Sequence, residues 1–143
     1  MLECRFVEKI PTPEHYNELR QSVGWGIYET SVIERALSQS LYCVCAFAGE
    51  TIVAMARIIG DGGLVYYIQD VIVKPEYQRR GIGNKLMDAV MAYVCAHASN
   101  NSIVGLMSAK DKEPFYEKYG FVSRPTDQLG CGMTQFWKKG RAI

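Results

Sequence analysis

The sequence predicts an α/β fold with a mixed, mostly antiparallel central sheet flanked by helices, and three observations carry that prediction. Apolar runs from Leu41 to Ala48 and from Thr51 to Ile59 flank Gly49-Glu50, the pattern of a tight hairpin. The turn Asp61-Gly62-Gly63 then leads into a third run rich in β-branched residues, with Ile68, Val71, Ile72 and Val73 ahead of Pro75. Past Gly81 and Gly83, apolar residues recur at Ile82, Leu86, Ala89, Val90 and Tyr93, the spacing of an amphipathic helix that reaches about His97.

At 143 residues the chain is expected to be one domain, residues 1–143, with room for a substantial core. Sixteen basic residues against fifteen acidic ones leave a formal charge of +1, which argues against a nucleic-acid binder or a membrane-surface protein. No segment approaches the roughly 18 apolar residues of a membrane span, and the first residues lack the apolar core of a signal peptide. A cytoplasmic location is the expectation. The five cysteines are an odd number and have no C-x-x-C pair, so they read as reduced thiols and not as a metal site. His15 and His97 both fall in predicted helices, with no Ser or Cys constellation around them that would make a hydrolase.

Taken in order, Leu2 to Glu8 alternates apolar and polar residues as a strand does. Thr12, followed by Pro13 and Glu14, opens a helix that runs through Tyr16, Leu19 and Val23 and stops at Gly24. Thr30 or Ser31 opens a second, with Val32, Ile33, Ala36 and Leu37 on one side. Between them, Gly24-Trp25-Gly26-Ile27-Tyr28-Glu29 reads as a mobile loop carrying a large aromatic. It serves either as a substrate wall or as an anchor onto the core. The meander and the long helix follow. Ser99 to Ser102 is a polar turn and Ile103 to Met107 a short buried strand. Asp111 to Tyr119 is a helix closed by Gly120, Phe121-Val122 restarts extended structure, and Cys131 to Trp137 is expected as a last strand ahead of a frayed tail.

The chemistry concentrates where strand gives way to helix. The first amides of a helix have no intrahelical partners and sit at the positive end of its dipole, so a glycine turn there suits an anion such as a pyrophosphate. The pattern is Gln78-x-x-Gly81-x-Gly83, neither a nucleoside-triphosphate loop nor a dinucleotide fingerprint. It resembles the acetyl-CoA loop of the GNAT superfamily of N-acetyltransferases. A second stretch, FYEKYGF from Phe115 to Phe121, is similar to the segment that ends the helix after the fifth strand in that superfamily. The resemblance covers about residues 40 to 125 well and the N-terminal third loosely.

That resemblance implies a single GNAT domain whose sheet splays into a V beside Val71 to Val73, with acetyl-CoA as cosubstrate. It implies that the main chain of Val71, Ile72 and Val73 pairs with the pantetheine arm. It further implies that Gln78 and the amides of Arg79, Arg80, Gly81, Ile82, Gly83 and Asn84 hold the pyrophosphate. Arg79 and Arg80 are either a solvated turn or phosphate contacts. Tyr116 matches the position of a tyrosine that protonates the leaving thiolate; by its own surroundings it reads equally well as core packing. Asp70 is a carboxylate in an apolar strand, and so either takes part in catalysis or belongs to a structural hydrogen-bond network. Gln69 stands where some polyamine-acetylating relatives carry a glutamate.

The function implied is acetyl transfer to a primary amine of a small molecule by direct attack, with room for a homodimer. The alternatives are a protein or peptide acetyltransferase acting on lysine or an N-terminus, and a non-catalytic acyl-CoA-binding sensor. Trp25 and Tyr28 are the expected acceptor-side residues together with Gln69. Tyr66, Tyr67, Glu29, Asp61 and Asp70 complete an aromatic, negative cleft suited to a cationic amine.

Overall fold

The computed structural model describes residues 3–140, and the chain divides into two compact units between Leu106 and Met107. The first unit holds β1 (Cys4–Val7), α1 (Pro13–Ser22), α2 (Thr30–Ser38), β2 (Tyr42–Ala48), β3 (Thr51–Gly60), β4 (Val65–Val73), α3 (Ile82–His97) and β5 (Ile103–Gly105). The strands form one sheet in the order β1-β2-β3-β4-β5, antiparallel except for the β4–β5 pair. The α/β class and the antiparallel meander are therefore present as the pattern predicts. Leu2, at the start of the expected first strand, lies outside the described residues.

Local chemistry accounts for the element ends. Thr12 accepts a hydrogen bond from the His15 amide at 3.1 Å, capping α1 with Pro13 in its first turn. Gly49 takes φ 61° in the two-residue β2–β3 turn, where a side chain would be strained. Asp61 Oδ1 accepts from the amides of Gly63, Leu64 and Val65, which closes the β3–β4 turn and holds its carboxyl below the usual range.

α1 and α2 cover one face of the sheet, where Tyr16, Leu19, Ile33 and Leu37 pack on Cys45, Phe47, Met55 and Ile72. α3 covers the other face through Ile82, Leu86, Met87, Val90 and Val94, and the hydroxyl of buried Tyr66 donates to the His97 carbonyl at its C-terminal end. Burial on both faces explains why β2 and β3 read as continuous apolar runs and not as alternating ones.

β4 changes parity partway along. Gln69 lies opposite Arg57 and Ile72 opposite Met55, so two residues three apart face partners two apart. The extra residue is a bulge, with Asp70 at φ 57° in the left-handed region that Asp tolerates better than most residues. Ahead of the bulge, Tyr66 turns toward α3; after it, Ile72 turns toward α1 and α2. β5 pairs with β4 only at Val65 to Tyr67, so β4 runs on to Val73 with no β5 partner.

The second unit contains a single helix among its described residues, α4 (Glu113–Glu117), shorter than the predicted Asp111–Tyr119. Gly120 follows at φ 90°, and its amide donates to the Glu117 carbonyl as expected of a helix end. The strand expected over Cys131 to Trp137 is absent. Met133, Phe136 and Trp137 are exposed, and no ladder partner takes the segment's backbone groups among the described residues. Alternation supplies a pattern for a strand; it does not supply the neighbour that makes one.

Tyr16 links α1 to the bulge, donating to Asp70 Oδ2 at 2.8 Å. Burial first, then the Asp70 charge, raise its hydroxyl from 10.0 to about 12. Because the folded value lies above the ordinary one, the stabilisation is complete below about pH 10 and is lost as pH rises from about 10 to 12. Urea unfolding should show Tyr16→Phe losing about 1.5–3 kcal/mol at neutral pH, the range for a hydrogen bond to a charged group. Between pH 9 and 12 the variant should lose roughly 2 kcal/mol less than the parent. Parallel pH curves for the two proteins would show that Tyr16 is not the titrating group.

Candidate active site

The site begins at the end of β4. Lys74 leaves the strand, Pro75 to Tyr77 make one short 3₁₀ turn, and Gly81 caps α3 at φ 81°. A Cβ built on Gly81 would meet nothing within 4 Å, so what demands glycine is the backbone angle, and the space above the turn stays open. Arg79 also takes a left-handed angle, φ 63°. Gln78, Arg79, Arg80, Gly81 and Asn84 are exposed, with Ile82 buried beneath them and Gly83 half-buried. The result is a surface helix N-terminus of sixteen-residue α3, with its first amides at the positive end of the dipole.

Two side chains shape this turn. Gln78 Nε2 donates to the Val73 carbonyl at 2.9 Å, folding the loop back on the end of β4. The Arg80 guanidinium lies 5.2 Å from the centre of the Tyr77 ring. Val71, Ile72 and Val73 sit on the stretch of β4 beyond its pairing with β5; Ile72 is core, and its neighbours are half-buried. The sequence thus brings together in the first unit all ten residues assigned to the cofactor.

Asp70 occupies a buried polar network. Its side chain is 0% exposed, and Oδ2 accepts from Arg57 Nε at 2.7 Å as well as from Tyr16. Oδ1 accepts from Gln69 Nε2 at 3.4 Å and faces Arg20 Nη1 at 3.7 Å. Arg57 also donates to Ser40 Oγ at 3.2 Å. A second clip joins the same helix to the residue just past the same strand, because half-exposed Glu18 pairs with buried Lys74. Sequence reading passed over Tyr16, Arg20 and Arg57. The signal for Arg57 was a lone cation in the apolar run IVAMARII, one strand away from a lone aspartate in IQDVIV. Tyr16 and Arg20 are four apart in α1 and so share a face.

The Gly24–Glu29 loop is tied down, in contrast to the mobile loop its glycines predict. Asn17 Nδ2 donates to the Tyr28 carbonyl at 2.9 Å, and Asn17 Oδ1 accepts from the Tyr28 amide at 3.1 Å. The Trp25 amide donates to the Arg20 carbonyl at 2.9 Å, and Arg20 Nε donates to the Gly26 carbonyl at 2.6 Å. Trp25 and Tyr28 remain exposed, with the Arg20 guanidinium 5.4 Å and 4.7 Å from their ring centres.

The aromatic, negative cleft does not assemble from the residues the sequence offered for it. Tyr66 is core, Asp61 closes a turn at the far end of β4, and Asp70 is matched by Arg57 and Arg20. Sequence supplies the list of charges but not their pairing. In the second unit, Tyr116 is half-buried against Phe115 and Phe121, and burial pushes its hydroxyl above 10.0.

Comparison with known proteins agrees with this geometry. The Acetyltransferase (GNAT) domain family matches residues 15–135. The solved structure of protein SA2161 from meticillin-resistant Staphylococcus aureus superposes with a TM-score of 0.87 and 29% identity, over 94% of this chain and 100% of that one. The GNAT family acetyltransferase SP0256 of Streptococcus pneumoniae gives 0.76 and 28%, over 96% and 99%. The uncharacterized N-acetyltransferase ycf52 of Pyropia yezoensis is 27% identical over 124 residues, 84% of this chain and 68% of that protein. Among the described residues, no helix is long and apolar enough to cross a membrane.

Proposed function

The chain belongs to the GNAT acetyltransferase family, and from that premise we propose that it moves the acetyl group of acetyl-CoA to a primary amine of a small molecule. The observation that carries the reading is one juxtaposition: an exposed glycine turn at the N-terminus of α3 directly follows the stretch of β4 left without a β5 partner. The turn offers amides to an anion, and the strand edge offers amides and carbonyls to an extended, amide-containing arm. Acetyl-CoA has both parts and, when bound, supplies its acetyl group as a thioester.

On this reading the main chain of Val71 to Val73 holds the pantetheine arm. The amides from Arg79 to Asn84, with the charges of Arg79 and Arg80, hold the pyrophosphate. Gln78 acts by shaping the turn through Val73. Tyr116 is the proposed general acid: a tyrosine phenol is protonated at neutral pH, and burial shifts Tyr116 further toward that form, so the proton is present to donate to a departing thiolate. For Asp70 the proposed role is structural. A fully buried carboxylate that accepts from Arg57, Tyr16 and Gln69 has three of its roughly four acceptor sites occupied and two guanidinium groups beside it, which disfavours it as the base.

Gly83→Glu separates binding from folding. A carboxylate in the first turn of α3 suits the helix dipole, so circular dichroism should be unchanged, while the same charge repels a pyrophosphate. Isothermal titration should find acetyl-CoA binding lost, and retained affinity would place the cosubstrate elsewhere.

Tyr116→Phe removes one hydroxyl and almost no volume. Turnover should fall roughly 10²- to 10⁴-fold, the range for a positioned proton donor. Wild-type turnover in the folded variant would remove Tyr116 from the chemistry.

The acceptor is addressed by a thiol-release assay over neutral aromatic amines, amino sugars, amino acids, polyamines and lysine peptides. Small amines with a neutral or anionic remainder should lead, since Asp70 is already matched by two guanidinium groups. A clear lead for lysine peptides would transfer the activity to proteins, and a lead for polyamines would restore the cationic acceptor.

A further inference from the structure

Arg20 makes more kinds of contact than any one role requires. Its side chain is only 14% exposed, although it stands near the end of a surface helix. One edge of the guanidinium donates from Nε to the Gly26 carbonyl at 2.6 Å. Another presents Nη1 to the buried Asp70 at 3.7 Å. Three aromatic rings surround it, with centres 5.8 Å away for Tyr16, 5.4 Å for Trp25 and 4.7 Å for Tyr28. A planar, delocalised cation can serve carbonyl, carboxylate and ring faces together; an ammonium is a point charge and cannot. The charge is also needed in place, because Asp70 is 0% exposed and sits at the left-handed bulge residue of β4.

The helix positions sort the work. Asn17, three residues before Arg20, fixes the main chain of Tyr28 through two hydrogen bonds and leaves its ring unconstrained. Arg20 is the group that meets the rings of Trp25 and Tyr28, and the same group meets Asp70 immediately before Val71.

We propose that Arg20 is a positioning residue for the acceptor: its guanidinium spans from Asp70 at the β4 bulge to the Gly24–Glu29 loop and fixes Trp25 and Tyr28 as a wall aligned with the cofactor strand. The assignment deepens the acetyltransferase reading and rests on it for the identity of what the wall receives. The ring faces that meet Arg20 already hold a cation, so a cationic acceptor group competes with Arg20 instead of finding bare aromatic surface.

The test uses the full chain with Trp137→Phe, which leaves Trp25 as the single tryptophan of the two. Arg20→Lys and Arg20→Met are then compared with that parent by acrylamide quenching of Trp25, by thermal unfolding and by bisubstrate kinetics. Arg20→Lys keeps a positive charge opposite Asp70 and so guards against a variant that does not fold. The expected result is stronger quenching and a red-shifted emission of Trp25 in both variants. The acceptor KM should rise roughly 5- to 30-fold, as the loss of one or two ring contacts implies, with the acetyl-CoA KM within about twofold of the parent. Unchanged Trp25 quenching in folded Arg20→Lys, or an equal rise in both KM values, would overturn the proposal. If the parent acetylates no amine in the panel, the acetyltransferase reading fails while quenching still decides whether Arg20 holds the loop.

Discussion

A carboxylate buried to 0% exposure inside a sheet is the constraint around which the first unit is arranged. An ionised group in that position is tolerated only with charged and hydrogen-bonding partners close by, and here they arrive from three elements. Arg57 reaches across from β3, Tyr16 and Arg20 come down from α1, and Gln69 adds a contact from the preceding residue. The pairing therefore fixes which face α1 covers and how far along the sheet it sits. The Glu18–Lys74 pair adds a second restraint from the same helix, at the C-terminal end of β4.

The same residue explains the change of parity in β4. Asp70 takes a left-handed angle in the strand interior, where most side chains would be costly, and the extra residue rotates the chain so that Gln69 and Ile72 share a face. Without the bulge, the apolar set of β4 would point one way throughout. With it, Tyr66 serves α3 while Ile72 serves the α1–α2 core. The stretch proposed to meet acetyl-CoA thus begins at the bulge, immediately after a buried carboxylate that accepts three side-chain hydrogen bonds.

How much of this is legible in the sequence depends on the range of the interaction. Elements governed by neighbours along the chain read correctly: the Thr12 cap with Pro13, the Gly49-Glu50 turn, the Asp61 turn and the helix from Ile82 to His97. Those governed by distant partners did not. Cys131 to Trp137 carries the composition of a strand, yet its fate depends on a partner that no local pattern names. Asp70 was visible as an anomaly with two open explanations, and only the register of β3 against β4 brings Arg57 to it. The glycine turn was legible because Gly81 answers a backbone angle at its own position.

The charge of the acceptor side shows the same limit with a chemical consequence. Counted by type, Trp25, Tyr28, Glu29, Asp61 and Asp70 describe a site for a cation. Geometry redistributes them: Asp61 is used by three turn amides and Asp70 by Arg57 and Tyr16, while Arg20 meets the aromatic rings. In a low-dielectric setting a matched charge projects little field, so Asp70 shapes the site by holding Arg20 and Tyr16, more than by attracting an ammonium. On the proposed reading, what distinguishes one acceptor from another is the shape of the wall that Trp25 and Tyr28 present. That shape is set from behind, by a guanidinium whose position the buried carboxylate helps to fix.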